Sequence, residues 1–229
     1  MAALLAPQFT VINYDRRGRG LSGDTPPYQV QREVEDIAAL LDEAGGSACL
    51  FGSSSGAVLA LEAAASDLDI TKLALYEPPF RVDRSELPQK DLDRKVAQLL
   101  AENQRGKAVS LFMRQGIGVP GAMIAFMRLM PATWSKLKAM ASTIRYDIAV
   151  MGDTQSGNPL PTDRWAGVKA PTLVIDGGKS SFAQRQGGQA LVDVLPNTQH
   201  RDLPGQGHAA PVMAPGKLAP LLIEFLTAE

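Results

Sequence analysis

Three consecutive serines in the segment LFGSSSGAV, residues 50–58, indicate where this chain could carry out chemistry. The pattern G-x-S-x-G is met by Gly52, Ser54 and Gly56, which makes Ser54 a candidate nucleophile. Such a serine projects from a tight turn between a strand and a helix. The apolar run before Gly52 and the alanine-rich run after Gly56 predict both elements. The backbone N–H of Ser55 would then point toward a developing oxyanion at the start of the helix.

A serine hydroxyl needs a general base before it can attack a carbonyl carbon. The chain has two histidines, His200 and His208. His208 lies in the glycine-rich loop LPGQGHAAP after the last predicted strand, whereas His200 stands among polar residues within that strand. We therefore expect His208 to be the base and His200 to be a surface residue.

The elements that must position these residues alternate between strands and helices. Predicted strands cover residues 9–15, 47–52, 72–77, 171–177 and 199–203, and predicted helices cover 29–46, 55–66, 182–194 and 215–227. Residues 86–150 are predicted to be helical throughout and interrupt this alternation. The pattern predicts an α/β fold with a mostly parallel sheet, flanked by helices and carrying one helical insertion.

Composition narrows the classes of partner. The 229 residues carry a net charge of −1, so we expect neither a nucleic-acid partner nor a basic membrane-binding patch. No apolar stretch approaches the roughly 20 residues of a membrane span. The single cysteine, Cys49, excludes a disulfide framework and is predicted to be a buried strand residue. We expect a protein of the cytoplasm.

A competing pattern, G-x-G-x-x-G, is formed by Gly18, Gly20 and Gly23 after the first predicted strand. A dinucleotide-binding loop of this kind must open directly into a helix. Pro26 and Pro27 follow instead, and no helix is predicted before residue 29. We therefore predict no cofactor, and no metal site is expected.

The segments NYDRRGRGLSGD, FGSSSG, LALYEPP, PTLVIDGG and LPGQGH closely resemble the serine branch of the α/β-hydrolase superfamily, in their usual order and spacing. The resemblance covers nearly the whole chain. It implies a hydrolase core formed by residues 1–85 and 160–229, with residues 86–159 as an all-helical cap inserted after the sixth family strand.

The third member of the catalytic triad departs from the family pattern. Family members commonly place an aspartate shortly after the seventh strand, where this chain has Ser180. Some relatives carry the acid at the end of the sixth strand, and Glu77 stands there, so Glu77 is the first choice and Asp176 the second. A serine–histidine dyad, or an acid such as Asp147 or Asp153, remains an alternative.

The front of the chain departs as well. The superfamily has two or three strands and an HG-type oxyanion loop ahead of the strand that corresponds to residues 9–15. We expect the chain as printed to begin in the preceding helix and to be N-terminally truncated relative to the family. We expect a fragment, a late start codon, or compensation by association of copies. An unpaired sheet edge would favour a homo-oligomer.

These features together predict a serine hydrolase that acts on a small carboxylic ester, thioester or lactone through an acyl-enzyme. The methionine-rich cap would form an adaptable apolar pocket for a small-molecule acyl substrate. The alternative from another class is a non-hydrolytic or inactive binding protein of the same fold. A C–C bond hydrolase would use the same residues.

Overall fold

The computed structural model describes residues 1–84, 87 and 91–228, and the chain forms two compact units. The first unit comprises residues 1–14, 30–86 and 150–229, and the second comprises residues 15–29 and 87–149. The strands are β1 (Ala48–Ser53), β2 (Ile70–Tyr76), β3 (Thr172–Gly177) and β4 (Thr198–Leu203). The helices are α1 (Ala2–Leu5), α2 (Val30–Glu43), α3 (Ser55–Ala64), α4 (Leu92–Ala101), α5 (Arg105–Gln115), α6 (Gly121–Arg128), α7 (Pro131–Ala139), α8 (Ile144–Met151), α9 (Phe182–Val194), α10 (Ala210–Met213) and α11 (Pro215–Thr227), with a 3₁₀ turn at Ala141–Thr143.

The strands of the first unit form one parallel sheet in the order β1-β2-β3-β4. Ser53 pairs with Tyr76, and Tyr76 pairs in turn with Ile175. On the other side of β3, Gly177 pairs with Leu203. Because all four strands run in the same direction, their carboxyl ends lie along one edge of the sheet.

The core of the first unit is built on β2 and β3, which are covered on both faces and read as continuous apolar runs. Leu73, Leu75 and Ile175 are fully buried, and Leu218 and Leu222 of α11 belong to the same apolar cluster as Ile175. Burial of a leucine or isoleucine side chain contributes about 1.5–3 kcal/mol, so this layer fixes the strands whose ends carry the site.

The second unit has its own apolar interior, in which α4 supplies Val96, α5 supplies Ala108 and Val109, and α8 supplies Ile144. In this unit, no strand is present among the residues that the structure describes. Within those described residues, no helix of the chain is both long and apolar enough to cross a bilayer.

The predicted α/β fold with a parallel sheet flanked by helices is confirmed, but the strand predicted at residues 9–15 is wrong. A strand needs a hydrogen-bonding neighbour, and in the described residues β1 pairs with β2 alone. The aromatic and β-branched residues of this segment have another role, since Phe9 and Val11 pack against the apolar core.

Cys49 also differs from expectation, because it is exposed and not buried. It stands on the outer strand β1, and its sulfur lies 3.3 Å from the Thr71 hydroxyl. The predicted boundary between core and cap lies between residues 85 and 86, and both of these residues lie outside the described part of the chain, as do residues 88–90. The two compact units divide the chain differently, since residues 15–29 group with the helices and residues 150–159 with the sheet.

Candidate active site

Ser54 occupies the turn between β1 and α3 and has the unusual backbone angles φ 55° and ψ −128°. A positive φ is unfavourable for a residue with a side chain, and such strain is concentrated at functional sites. The turn is held from both sides: the Ser54 N–H donates to the Tyr76 carbonyl at 2.9 Å, and the Ser54 carbonyl accepts from the Ala57 N–H at 2.8 Å. The Ser54 side chain makes no capping bond to α3.

Gly52 explains why the turn needs a glycine on its strand side. A Cβ atom at this position would lie 2.3 Å from the Gly56 carbonyl oxygen and 2.7 Å from the Ala57 Cα. Both are backbone atoms and cannot swing away. At Gly56 a Cβ would meet nothing within 4 Å, so only the first glycine of the pattern is required by packing.

His208 lies in the loop after β4 and contacts a buried carboxylate. Its Nδ1 is 2.7 Å from Oε2 of Glu77, which follows β2 directly. Glu77 is fully buried, whereas the His208 side chain is 38% exposed. With Glu77 ionised, its oxygen can only accept a hydrogen bond, so Nδ1 is the donor in this contact and Nε2 is left for another partner.

The buried Glu77 carboxylate is satisfied by donors from the end of β3. Its Oε1 accepts the Gly177 N–H at 2.6 Å and also the Ser180 hydroxyl. A buried carboxylate without partners would be strongly destabilising. With His208 on one oxygen and two donors on the other, Glu77 is held in a single orientation, although its own backbone has a positive φ of 47°.

Tyr76 contacts the loop that carries His208. Its side chain is fully buried, and its hydroxyl donates to the Gly207 carbonyl at 2.8 Å, directly ahead of His208. Burial raises the pKa of Tyr76, and the charges of Glu77 and Asp176 raise it further. The phenol therefore remains a donor at ordinary pH and ties the histidine loop to β2.

Asp176, the second-choice acid, contacts the other histidine. Its Oδ2 lies 2.8 Å from Nε2 of His200, and its side chain is fully buried, while the His200 side chain is 25% exposed. His200 is therefore a partner in a buried pair and not the free surface residue that was predicted. Helix α9 passes so close that a Cβ at Gly188 would lie 2.2 Å from Asp176 Oδ2.

Burial raises the pKa of Asp176, although the hydrogen bond from His200 lowers it in part. The hydrogen bond to Asp176 raises the pKa of His200, against the opposing effect of burial. The other carboxylates considered are bound by arginines: Asp147 by Arg16 at 3.0 Å, and Asp153 by Arg164 at 2.8 Å.

The glycine pattern of residues 18–23 forms a closed loop in the second unit. The Gly18 N–H donates to the Gly23 carbonyl at 2.9 Å, and the Leu21 N–H donates to the Asp15 carboxylate at 3.0 Å. A Cβ at Gly20 would lie 1.9 Å from that carboxylate. This internal packing accounts for the glycine at position 20.

The structure thus brings Glu77 and His208 together and places Ser54 one strand away, bonded to the residue before Glu77. Ser55 is the first residue of α3. Sequence reasoning gave no role to Ser180 or Tyr76. The replacement of the expected aspartate by Ser180 was the one signal available, and nothing in the sequence marked Tyr76.

Comparison with known proteins identifies the family of this chain. A family model described as the alpha/beta hydrolase family matches residues 1–221. A crystal structure of an alpha/beta hydrolase from Sphaerobacter thermophilus DSM 20745 is 51% identical, with a TM-score of 0.90 over 99% of this chain and 85% of that chain.

Two more distant structures share the fold. The enol-lactonase from Burkholderia xenovorans LB400 is 20% identical, with a TM-score of 0.71 over 99% of this chain and 84% of that chain. A thermophilic esterase from Thermogutta terrifontis is 20% identical, with a TM-score of 0.68 over 98% of this chain and 82% of that chain. No curated protein matches the sequence. The family model and the 51% identical structure cover nearly all of this chain, which therefore belongs to the alpha/beta hydrolase family.

Proposed function

We propose that this hydrolase cleaves a small carboxylic ester, thioester or lactone through an acyl-enzyme on Ser54. The observation that carries the proposal is the 2.7 Å contact between His208 Nδ1 and the buried Glu77 Oε2, at the sheet edge where Ser54 lies in a strained turn. A nucleophile, a base and an acid that orients the base are the parts that acyl transfer requires.

In the first half of the reaction, Ser54 Oγ attacks the substrate carbonyl carbon and its proton passes to His208 Nε2. The carbonyl oxygen becomes an oxyanion, for which the Ser55 N–H at the start of α3 is the proposed donor. Glu77 stabilises the imidazolium that forms, because its carboxylate faces the other ring nitrogen.

The tetrahedral intermediate then collapses. The bond from carbon to the leaving oxygen or sulfur breaks, and His208 returns the proton to that atom, which leaves an ester on Ser54. In the second half, His208 removes a proton from water, the resulting hydroxide attacks the acyl carbon, and Ser54 departs with the proton from His208. The net change is addition of one water across the acyl bond.

The choice of substrate class rests on this chemistry and on the fold neighbours. The names of the enol-lactonase and the esterase give the classes, lactones and esters, with which the proposal is first tested. Esters, thioesters and lactones share a carbonyl carbon bound to a leaving oxygen or sulfur, so one triad serves all three.

A serine-directed fluorophosphonate tests the proposal directly. We expect labelling of the wild type and of Ser53→Ala, a control at the neighbouring serine, and loss of labelling in Ser54→Ala. Hydrolysis of a panel of short-chain esters, thioesters and lactones should follow the same pattern. A well-folded protein that is neither labelled nor active would contradict the proposal and favour a non-hydrolytic binding protein.

A further inference from the structure

Ser180 stands where many family members have an aspartate, and the structure gives its hydroxyl a definite partner. The hydroxyl donates to Oε1 of Glu77, in the same unit of the chain. Its position is fixed by the backbone, because the Ser180 N–H donates to the Gly177 carbonyl at 2.9 Å. The adjacent Lys179 N–H donates to the Gln206 carbonyl at 2.8 Å, which ties this turn to the histidine loop.

The two carboxylate oxygens of Glu77 have separate tasks. Oε1 accepts from Ser180 and from the Gly177 N–H, while Oε2 faces His208. Because Glu77 is fully buried, bulk water is not available to replace a lost donor. Without the hydroxyl, Oε1 would keep one donor, the Gly177 N–H.

Charge also matters at this position. An aspartate at residue 180 would place a second carboxylate beside Glu77 Oε1, and like charges at hydrogen-bond distance cannot both stay ionised. A hydroxyl supplies a donor without a charge. The residue at position 180 therefore fits a triad whose acid comes from the end of β2.

We propose that Ser180 is a positioning residue for catalysis: its hydroxyl binds Oε1 of Glu77 and so holds Oε2 on His208. The inference rests on the proposed function, since it concerns the acid of that triad. Ser180 itself touches neither substrate nor the reacting atoms in this assignment.

Kinetics of three variants test the role. Ser180→Ala should lower kcat about 10-fold, which is the order expected when one hydrogen bond to a charged group is lost, and should leave KM within about twofold. Ser180→Thr keeps a hydroxyl and should retain most of kcat. Ser181→Ala is the matched control, because the Ser181 hydroxyl caps α9 by accepting the Gln184 N–H at 3.2 Å. It should lower stability and leave kcat near the wild-type value.

A second readout does not depend on turnover. A ring N–H bonded to a buried carboxylate gives a far-downfield proton NMR signal, and the chain has two histidines. The signal from the Glu77–His208 pair is identified by its loss in Glu77→Gln, and that of the Asp176–His200 pair by its loss in His200→Gln. In Ser180→Ala the first signal should broaden through faster exchange with water, while the second stays sharp.

The outcomes are separable. A sharp, unchanged first signal, or an unchanged kcat in Ser180→Ala, overturns the role of Ser180. An equal loss of kcat in Ser181→Ala overturns it as well, since the effect would then be general loosening of the turn. If Ser180→Ala broadens the first signal but Ser54→Ala keeps the activity of the wild type, then Ser180 does position Glu77, and the proposal of a serine hydrolase is wrong.

Discussion

At the residue scale, the two buried carboxylates of the sheet edge have different partners. Glu77 contacts His208 and Asp176 contacts His200, although the two acids stand at the ends of neighbouring strands. Glu77 directly follows β2, and Asp176 is the last residue but one of β3. Under the proposed function, the acid is the carboxylate that contacts His208, which is Glu77. This pairing makes Asp176 a natural control for Glu77, because both are fully buried.

Glu77→Gln should lower kcat by about 10²–10⁴-fold, because a neutral amide cannot stabilise the imidazolium of His208. Asp176→Asn should lower kcat far less, since the proposed function assigns the role of base to His208 and not to His200. The measurement is steady-state kinetics of both variants beside the wild type, with circular dichroism to establish folding. Equal losses in the two variants would contradict the assignment of Glu77 as the acid.

Gly52→Ala should lower the free energy of unfolding by about 2–3 kcal/mol, because the added Cβ would lie 2.3 Å from a backbone oxygen. Gly56→Ala is the matched control, since a Cβ there meets nothing within 4 Å and alanine is the better helix former. Urea unfolding of the two variants tests the contrast. A Gly52→Ala protein as stable as the wild type would show that the turn is less tightly packed than described.

At the element scale, β2 organises the site because its last residue and the residue after it contact both the serine turn and the histidine loop. Tyr76 accepts from Ser54 through its carbonyl and donates to Gly207 through its hydroxyl, while Glu77 binds His208. The serine turn and the histidine loop, which are far apart in sequence, are therefore both attached to the end of one buried strand.

Tyr76→Phe should separate these attachments. The hydrogen bond from the Ser54 N–H to the carbonyl of residue 76 remains, whereas the loop of His208 loses the hydrogen bond from the Tyr76 hydroxyl to the Gly207 carbonyl. We expect a loss of about 1 kcal/mol in the free energy of unfolding and about 10-fold in kcat, with little change in KM. Kinetics and urea unfolding measure both effects. An unchanged kcat would indicate that the other contacts of the loop, from Glu77 to His208 and from Lys179 to Gln206, are sufficient to hold it in place.

Some features of the fold follow from local sequence signals, and others depend on which strands are neighbours. Local signals, such as the serine pattern at Ser54 and the periodicity of helix Val30–Glu43, were sufficient to predict most elements and a mostly parallel sheet. Pairing was not predictable from local signals. Residues 9–15 have the composition of a strand but no ladder, and the contacts of Ser180 and Asp176 depend on which strands are neighbours.

At the scale of the whole molecule, the Asp176–His200 pair links folding to pH. The pKa of each group is raised in the folded protein, for His200 from an ordinary value of 6.5 and for Asp176 from 3.8. In the folded protein, Asp176 therefore keeps its proton to a pH above 3.8 and His200 keeps its proton to a pH above 6.5, so the folded chain binds more protons than the unfolded chain just above each of these values. By linkage, the stability that His200 contributes is complete below about pH 6.5 and is lost as the pH rises through its folded-state pKa.

The free energy of unfolding should accordingly fall as the pH rises above about 6.5, and His200→Gln should reduce this slope. Glutamine can still donate to Asp176 but does not titrate, so the variant removes the proton linkage and keeps a hydrogen bond. Urea unfolding at a series of pH values measures the slope, and near-ultraviolet circular dichroism confirms that the native state persists throughout. A wild-type stability that rises across this range, or an equal slope in His200→Gln, would show that the buried pair does not control the pH dependence. A reduced slope with unchanged kcat at one pH would place His200 in the folding of the sheet and not in its chemistry.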